Sequence, residues 1–165
     1  MRKALALITL AMCLTLLIGC GKTSNNVDSE FGFKKEDFVI LRELDTHGGF
    51  LGDGSYYLIL DCSESKEKIA EITRDWKSLP LTESLTIAMY GLETEKAVFG
   101  PSYNANKEFV ALPHIENGCY KFYNRQIGAL DPYDDENIHD RFSYNYSIAI
   151  YDSDKEKLYY YELDT

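Results

Sequence analysis

The sequence predicts an α+β fold, an antiparallel sheet of about six strands with one main helix packed on a face. Three observations carry this reading. Residues 144–151, rich in Tyr and Ile, and 158–163, rich in Tyr and Leu, are two runs separated by the polar turn Asp152-Ser153-Asp154-Lys155-Glu156, the pattern of an antiparallel hairpin. Further short runs of Tyr, Ile, Leu and Phe recur upstream, each bounded by Gly, Asn, Asp or Pro. Only residues 64–77 space their apolar side chains by three and four, as a helix requires. Strands joined by hairpins are antiparallel, so helices gather on a face instead of alternating with strands.

The elements follow in chain order. Met1-Arg2-Lys3 is a basic start, and residues 4–18 are apolar except for Thr9 and Thr15. This is the layout of a secretory signal, and the run is shorter than the roughly 20 residues a membrane span needs. It ends in Leu17-Ile18-Gly19-Cys20, which resembles the lipobox of bacterial lipoproteins. The resemblance implies that residues 1–19 are a cleaved lipoprotein signal peptide. It also implies that Cys20 becomes the first residue and is lipidated, with a diacylglycerol on its sulfur and palmitate-type acyl chains. The protein is then held on the extracytoplasmic face of the cell membrane. Each buried methylene contributes about 0.8 kcal/mol, so two or three chains hold stably where one does not. Gly21, not Asp, follows the cysteine, so a signal for inner-membrane retention is not indicated. Residues 20–30 carry Lys22, Ser24, Asn25, Asn26, Asp28 and Ser29 without periodicity and read as the lipidated cysteine and a disordered tether. Residues 31–165 read as a single globular α+β domain.

Within that domain, residues 38–44 predict a mostly buried strand and Tyr56-Tyr57-Leu58-Ile59-Leu60 a second, joined through the Gly-rich tip at residues 46–54. The helix over 64–77 takes Ser63 as its N-cap, lines up Ile69, Ile72 and Trp76, and stops at Ser78 and Pro80. Leu85, Ile87 and Met89 alternate with Thr86, Ala88 and Tyr90 and predict a third strand. Residues 93–113 give no clear pattern beyond one or two helical turns over 104–110. Asn117-Gly118 is a turn leading into a fourth strand at residues 119–123, and 126–141 is an acidic loop. In the last hairpin Tyr144, Tyr146, Ile148 and Ile150 share one face.

The net charge is −10, and the leader takes Arg2 and Lys3 with it, so the domain is more acidic still. Such a surface repels phosphate backbones, and nucleic acid is excluded as a partner. Outside the leader and lipobox two cysteines remain, Cys62 and Cys119, which are expected to be free thiols. The 13 tyrosines suit either half-buried strands or an adhesive surface.

His47 lies in the glycine-rich tip with Asp45 and Asp53 close in sequence. A catalytic histidine paired with a carboxylate has this look, and so does a metal ligand. The plainer reading is a turn whose His and Asp bond their own backbone while glycine supplies positive φ. Asp45-Thr46-His47-Gly48-Gly49-Phe50 with Gly52-Asp53-Gly54, and the ending 148–154 with Leu158-Tyr159-Tyr160, resemble small uncharacterised lipoproteins of Gram-positive, Clostridium-type bacteria. Those relatives often carry a second histidine where this chain has Leu51. The family has no assigned activity, so the resemblance implies no catalytic residue. The acidic stretches at Asp131–Asp140 and Asp152–Glu156 lack a defined calcium-loop spacing and read as solvated turns. His114 and His139 are isolated, and no Gly-x-Ser-x-Gly, His-Glu-x-x-His or Cys-x-x-Cys occurs.

The expectation is therefore a lipid-anchored, non-catalytic module without metal or other cofactor. It meets another protein or an envelope ligand, and reaches the membrane through Cys20. The alternative is a small hydrolase using His47 with Asp45 or Asp53.

Overall fold

Alternation along the strands sorts side chains to two opposite faces, and both faces end up covered. The computed structural model describes residues 27–48, 53–90, 92–93, 98–99, 112–126, 131–136, 138 and 143–165. The described elements run α1 (Val27–Phe31), a 3-10 turn (Lys35–Asp37), β1 (Val39–Asp45), β2 (Gly54–Asp61), α2 (Lys66–Ile72), β3 (Lys77–Ser78) and α3 (Glu83–Tyr90). They continue with β4 (Leu92–Glu93), β5 (Val98–Phe99), β6 (Gly118–Asn124), β7 (Asn145–Asp152) and β8 (Lys157–Asp164). Six strands form one antiparallel sheet in the order β1-β2-β8-β7-β6-β3, and β4 pairs with β5 separately. The α+β class and the six-stranded antiparallel sheet agree with the sequence reading.

The long strands fall where alternation placed them, and Tyr144, Tyr146, Ile148 and Ile150 do pack into one cluster. Five details differ. Residues 85–90 are helical: Leu85, Ala88 and Met89 are buried, a three-and-four spacing, and the Leu85 N–H donates to Thr82 Oγ1 at 3.3 Å as at a helix N-cap. The sixth strand is instead the short β3, taken from the expected helix end. The helix at 66–72 is shorter than expected, because the Thr73 hydroxyl turns back to the Ile69 carbonyl at 2.8 Å. Strand β1 is exposed along most of its length, because it is an edge strand. Finally, the expected tether runs to Glu30, whereas Val27–Phe31 is a helix with Val27, Glu30 and Phe31 buried.

In place of one main helix on one face, helices cover both. On one side α1 and α2 bring Val27, Phe31 and Ile69 over Tyr56, Leu58, Leu60, Ala149, Leu158 and Tyr160. On the other, α3 brings Leu85, Ala88 and Met89 over Tyr120, Phe122, Tyr146, Ile148, Ile150, Tyr159 and Tyr161. In the last hairpin Tyr146, Tyr159, Tyr160 and Tyr161 are thus core, while Tyr144 and Tyr151 are half-buried. A buried phenol needs a partner. Tyr56 donates to Glu43 at 2.7 Å, Tyr120 to Asp135 at 3.1 Å and Tyr160 to Glu162 at 2.7 Å.

Cys62 and Cys119 are free. Cys62 lies past the end of β2 and Cys119 in β6, three inter-strand steps away in the order β2-β8-β7-β6. Three steps place the backbones about 14 Å apart, and a disulfide needs Cα atoms within roughly 7 Å. Burial also pushes the Cys62 thiol up to about 12, with Asp61 adding to it, so it is a poor nucleophile. Among the described residues no helix is long and apolar enough to cross a membrane.

Candidate functional site

The face under α1 and α2 changes character along its length. Leu60, Leu158 and Ala149 are apolar, and Tyr56 and Tyr160 follow. Beyond them the register aligns Asp45, Tyr56, Glu162, Ser147 and Tyr123 in one row across five strands. Gly54, Asp164 and Asn145 form the next row on the same face. Arg125, two residues past Tyr123, donates its backbone N–H to the Asn145 carbonyl at 2.8 Å and so arrives at the same place. Glu30 reaches over from α1.

His47 enters this end from the β1–β2 connection. Thr46 closes the hairpin, with its N–H on the Ser55 carbonyl and its Oγ1 accepting the Ser55 N–H, both at 2.8 Å. Asp45 Oδ1 accepts the His47 N–H at 2.9 Å and sits 2.7 Å from Nδ1 of the ring. The backbone bond is the turn chemistry expected of this stretch. The ring is not: its side chain is only 6 % exposed, and Nε2 points at β8, 3.2 Å from Asp164 Oδ2. Nε2 makes no hydrogen bond there. Gly54 permits the approach, since a Cβ at that position would lie 2.5 Å from the His47 Cα. His47, Glu162 and Asp164 each offer one ligand atom within 4.8 Å of the other two.

Arg125 binds the carboxylates together. Its Nη2 donates to Asp164 Oδ1 at 2.5 Å and to the Leu163 carbonyl at 3.3 Å, and lies 3.5 Å from Glu162 Oε1. Its Nη1 donates to the Ser147 hydroxyl and lies 3.6 Å from Glu30 Oε1. Burial opposes the Arg125 charge, but Glu162, Asp164 and Glu30 outweigh it and raise its pKa. Burial likewise raises Glu162, against the pull of Arg125 and the Tyr160 hydroxyl. Glu30 is pushed up to about 7, again by burial, with Ser147 and Arg125 working the other way.

The Glu30 shift has a definite sign. A carboxyl whose folded pKa exceeds its unfolded value stabilises fully below about 4.5 and loses that contribution as pH rises to about 7. Glu30→Gln is therefore expected to flatten this part of the stability profile. It should raise unfolding free energy at pH 8 by about 1–3 kcal/mol, read by urea denaturation at pH 5 and pH 8. Parallel profiles for variant and wild type would refute the burial argument.

Comparison with family models, with curated proteins and with solved structures returned no match to this chain.

The remaining sequence candidates separate in space. Asp53 is exposed, so Asp45 is the carboxylate that holds the ring. His114 stacks on Tyr90 at 4.4 Å, and His139 lies outside the described residues. The acidic turns use their own carboxylates. Asp152 accepts the N–H groups of Asp154 and Lys155, both at 3.0 Å, and Asp131 accepts that of Tyr133 at 2.8 Å. Asp135 is buried and bonded to Lys77 at 2.8 Å. Sequence reasoning missed Arg125, Glu162, Asp164 and Glu30. The one local hint was that Glu162 and Asp164, two apart in a strand, share a face.

Two surface features remain. An open groove of about 340 Å³ is lined by Trp76, Lys77, Lys121 and Tyr133 among others. At the opposite edge of the sheet, β1 exposes Val39 at 60 %, Ile40 at 41 % and Leu41 at 46 %. A register shift between Ile40 and Arg42 bulges this strand.

Proposed function

We propose that the chain is a membrane-anchored extracytoplasmic lipoprotein, released from a signal at residues 1–19 and lipidated on Cys20. Its folded domain is a non-catalytic module that takes up an extended segment of another envelope or surface protein. The observation that carries the binding reading is the edge strand β1. Three consecutive large apolar residues stand in water there, at a sheet edge whose far side pairs with no described strand. Natural sheets usually guard such edges with charge, proline, a bulge or a covering loop, and here the bulge and the charges at Arg42 and Glu43 still leave Val39, Ile40 and Leu41 bare. An added strand gains backbone hydrogen bonds and covers apolar side chains on both faces. The stretch between Cys20 and α1 is short and keeps the domain within reach of the membrane, and the Leu-x-Gly-Cys ending supports the anchor.

A photoreactive amino acid at Leu41 of the full-length, lipidated chain tests the surface. A discrete adduct is expected at that position and none at Glu67 on the exposed side of α2. Loss of the adduct on Val39→Lys assigns it to the edge, and no adduct at Leu41 refutes the surface. Metabolic labelling with a clickable fatty acid tests the anchor: the wild type is expected to label and Cys20→Ser not. Equal labelling of the two removes the lipoprotein reading.

The Asp45–His47 pair, with Nδ1 held at 2.7 Å and Nε2 unbonded, favours a second reading as a small hydrolase. Turnover of an ester or amide panel that disappears on His47→Ala displaces the non-catalytic reading.

A further inference from the structure

We propose that His47, Glu162 and Asp164 form a site for a divalent first-row transition ion of the zinc or manganese class. This goes beyond the anchored binding module and stands independently of it.

The donor set is one imidazole nitrogen and two carboxylates, with their ligand atoms within 4.8 Å of one another. Two donors each about 2.1 Å from one ion, at tetrahedral or octahedral angles, stand roughly 3.0–3.4 Å apart. The 3.2 Å between His47 Nε2 and Asp164 Oδ2 has that span. It is not occupied by a hydrogen bond, although the imidazole is almost wholly buried. A buried ring nitrogen aimed at carboxylates without a bond costs free energy that a bound cation recovers.

The surroundings are those of a supported site. Asp45 Oδ1 lies 2.7 Å from Nδ1, so the tautomer that donates from Nδ1 to Asp45 turns the Nε2 lone pair inward. Both carboxylate ligands are held in place by neighbours. Arg125 holds Asp164 Oδ1 at 2.5 Å while Oδ2 faces His47, and the Tyr160 hydroxyl donates to Glu162 Oε2 at 2.7 Å. Among the described residues Arg125 is the cation touching Glu30, Glu162 and Asp164, so three carboxyl groups surround one guanidinium. The Asp164 side chain is 28 % exposed and leaves a way in from solvent. An imidazole in a set of three selects against calcium and magnesium, which prefer all-oxygen shells. The three ligands lie at positions 47, 162 and 164, so no local spacing announces them; the pairing of β2 with β8 joins them.

The test uses the full-length chain in detergent, stripped with EDTA and titrated calorimetrically with zinc chloride and manganese chloride. One ion per chain is expected. His47→Ala should weaken binding by at least tenfold, Asp45→Asn by 10- to 100-fold, and His114→Ala should match the wild type. If His47→Ala does not fold, pulsed EPR of the manganese-loaded wild type decides, since coupling to one imidazole nitrogen is required. Absence of stoichiometric binding, binding indifferent to His47→Ala, or absence of that nitrogen coupling overturns the site. None of these outcomes alters the crosslink at Leu41 or the labelling of Cys20.

Discussion

Arg125→Met is expected to lower the unfolding free energy by about 3–5 kcal/mol at pH 7. The guanidinium sits among Glu30, Glu162 and Asp164 and touches all three, and it also donates to the Leu163 carbonyl and Ser147. Methionine keeps much of the volume and removes the charge, which leaves carboxylates facing one another in a poorly hydrated place. The loss should shrink towards pH 5. Glu30 and Glu162 both have raised pKa values, so they take up protons first as the pH falls. Arg125→Lys should recover only part of the loss, because an ammonium cannot reproduce the fork that spans Asp164 and Ser147. Chemical denaturation at the two pH values measures both effects. A loss under 1 kcal/mol at pH 7, or one independent of pH, contradicts the account of the cluster.

Gly118→Ala is expected to cost about 3 kcal/mol or more, a large part of the stability of a domain this size. Gly118 opens β6 opposite Asp152 with φ at +148°, a region in which side-chain-bearing residues are strained. A Cβ there would lie 1.8 Å from the Tyr151 carbonyl oxygen. The obstacle is backbone, so relief requires shifting the β6–β7 ladder. That shift also disturbs the Leu79 N–H bond to the Gly118 carbonyl at 3.2 Å and the Ser153 N–H bond to Asn117 at 3.0 Å. Gly32→Ala is the control. Its φ of +75° is strained too, but nothing lies within 4 Å of the added methyl, so about 1 kcal/mol is expected. Thermal melts of the two variants compare them directly. Equal losses would mean that the clash relaxes without moving the ladder.

What could be read from the chain follows from range. Period-two alternation is a local property, so β2, β6, β7 and β8 could be placed from residues that are neighbours in sequence. The same local rule misled at residues 85–90. Leu85, Ile87 and Met89 fit a strand, while Leu85, Ala88 and Met89 fit a helix equally well. The tie is broken by Thr82 at the N-cap, whose hydroxyl also donates to the Asp135 carbonyl at 3.0 Å, a partner 53 residues away. Burial of β1 was misjudged for a related reason. Val39, Ile40 and Leu41 have the composition of an inner strand, and only the sheet order makes β1 an edge.

The candidate site shows the same division. From the sequence alone came the reading of Asp45 and His47 as a turn that bonds its own backbone, because that depends on residues two positions apart. The sequence also carried the Leu-x-Gly-Cys motif, on which the anchoring proposal rests. The need for glycine at position 54 comes from the folded approach of His47 to β2. The tertiary structure alone decided that the His47 ring lies against β8, that Arg125 stands between three carboxylates and that Tyr146, Tyr159, Tyr160 and Tyr161 are buried. Each of these depends on which strands pair, and pairing is settled by covering both faces of the sheet at once. No short window of sequence contains that information, because the apolar surface to be buried is contributed by the whole chain.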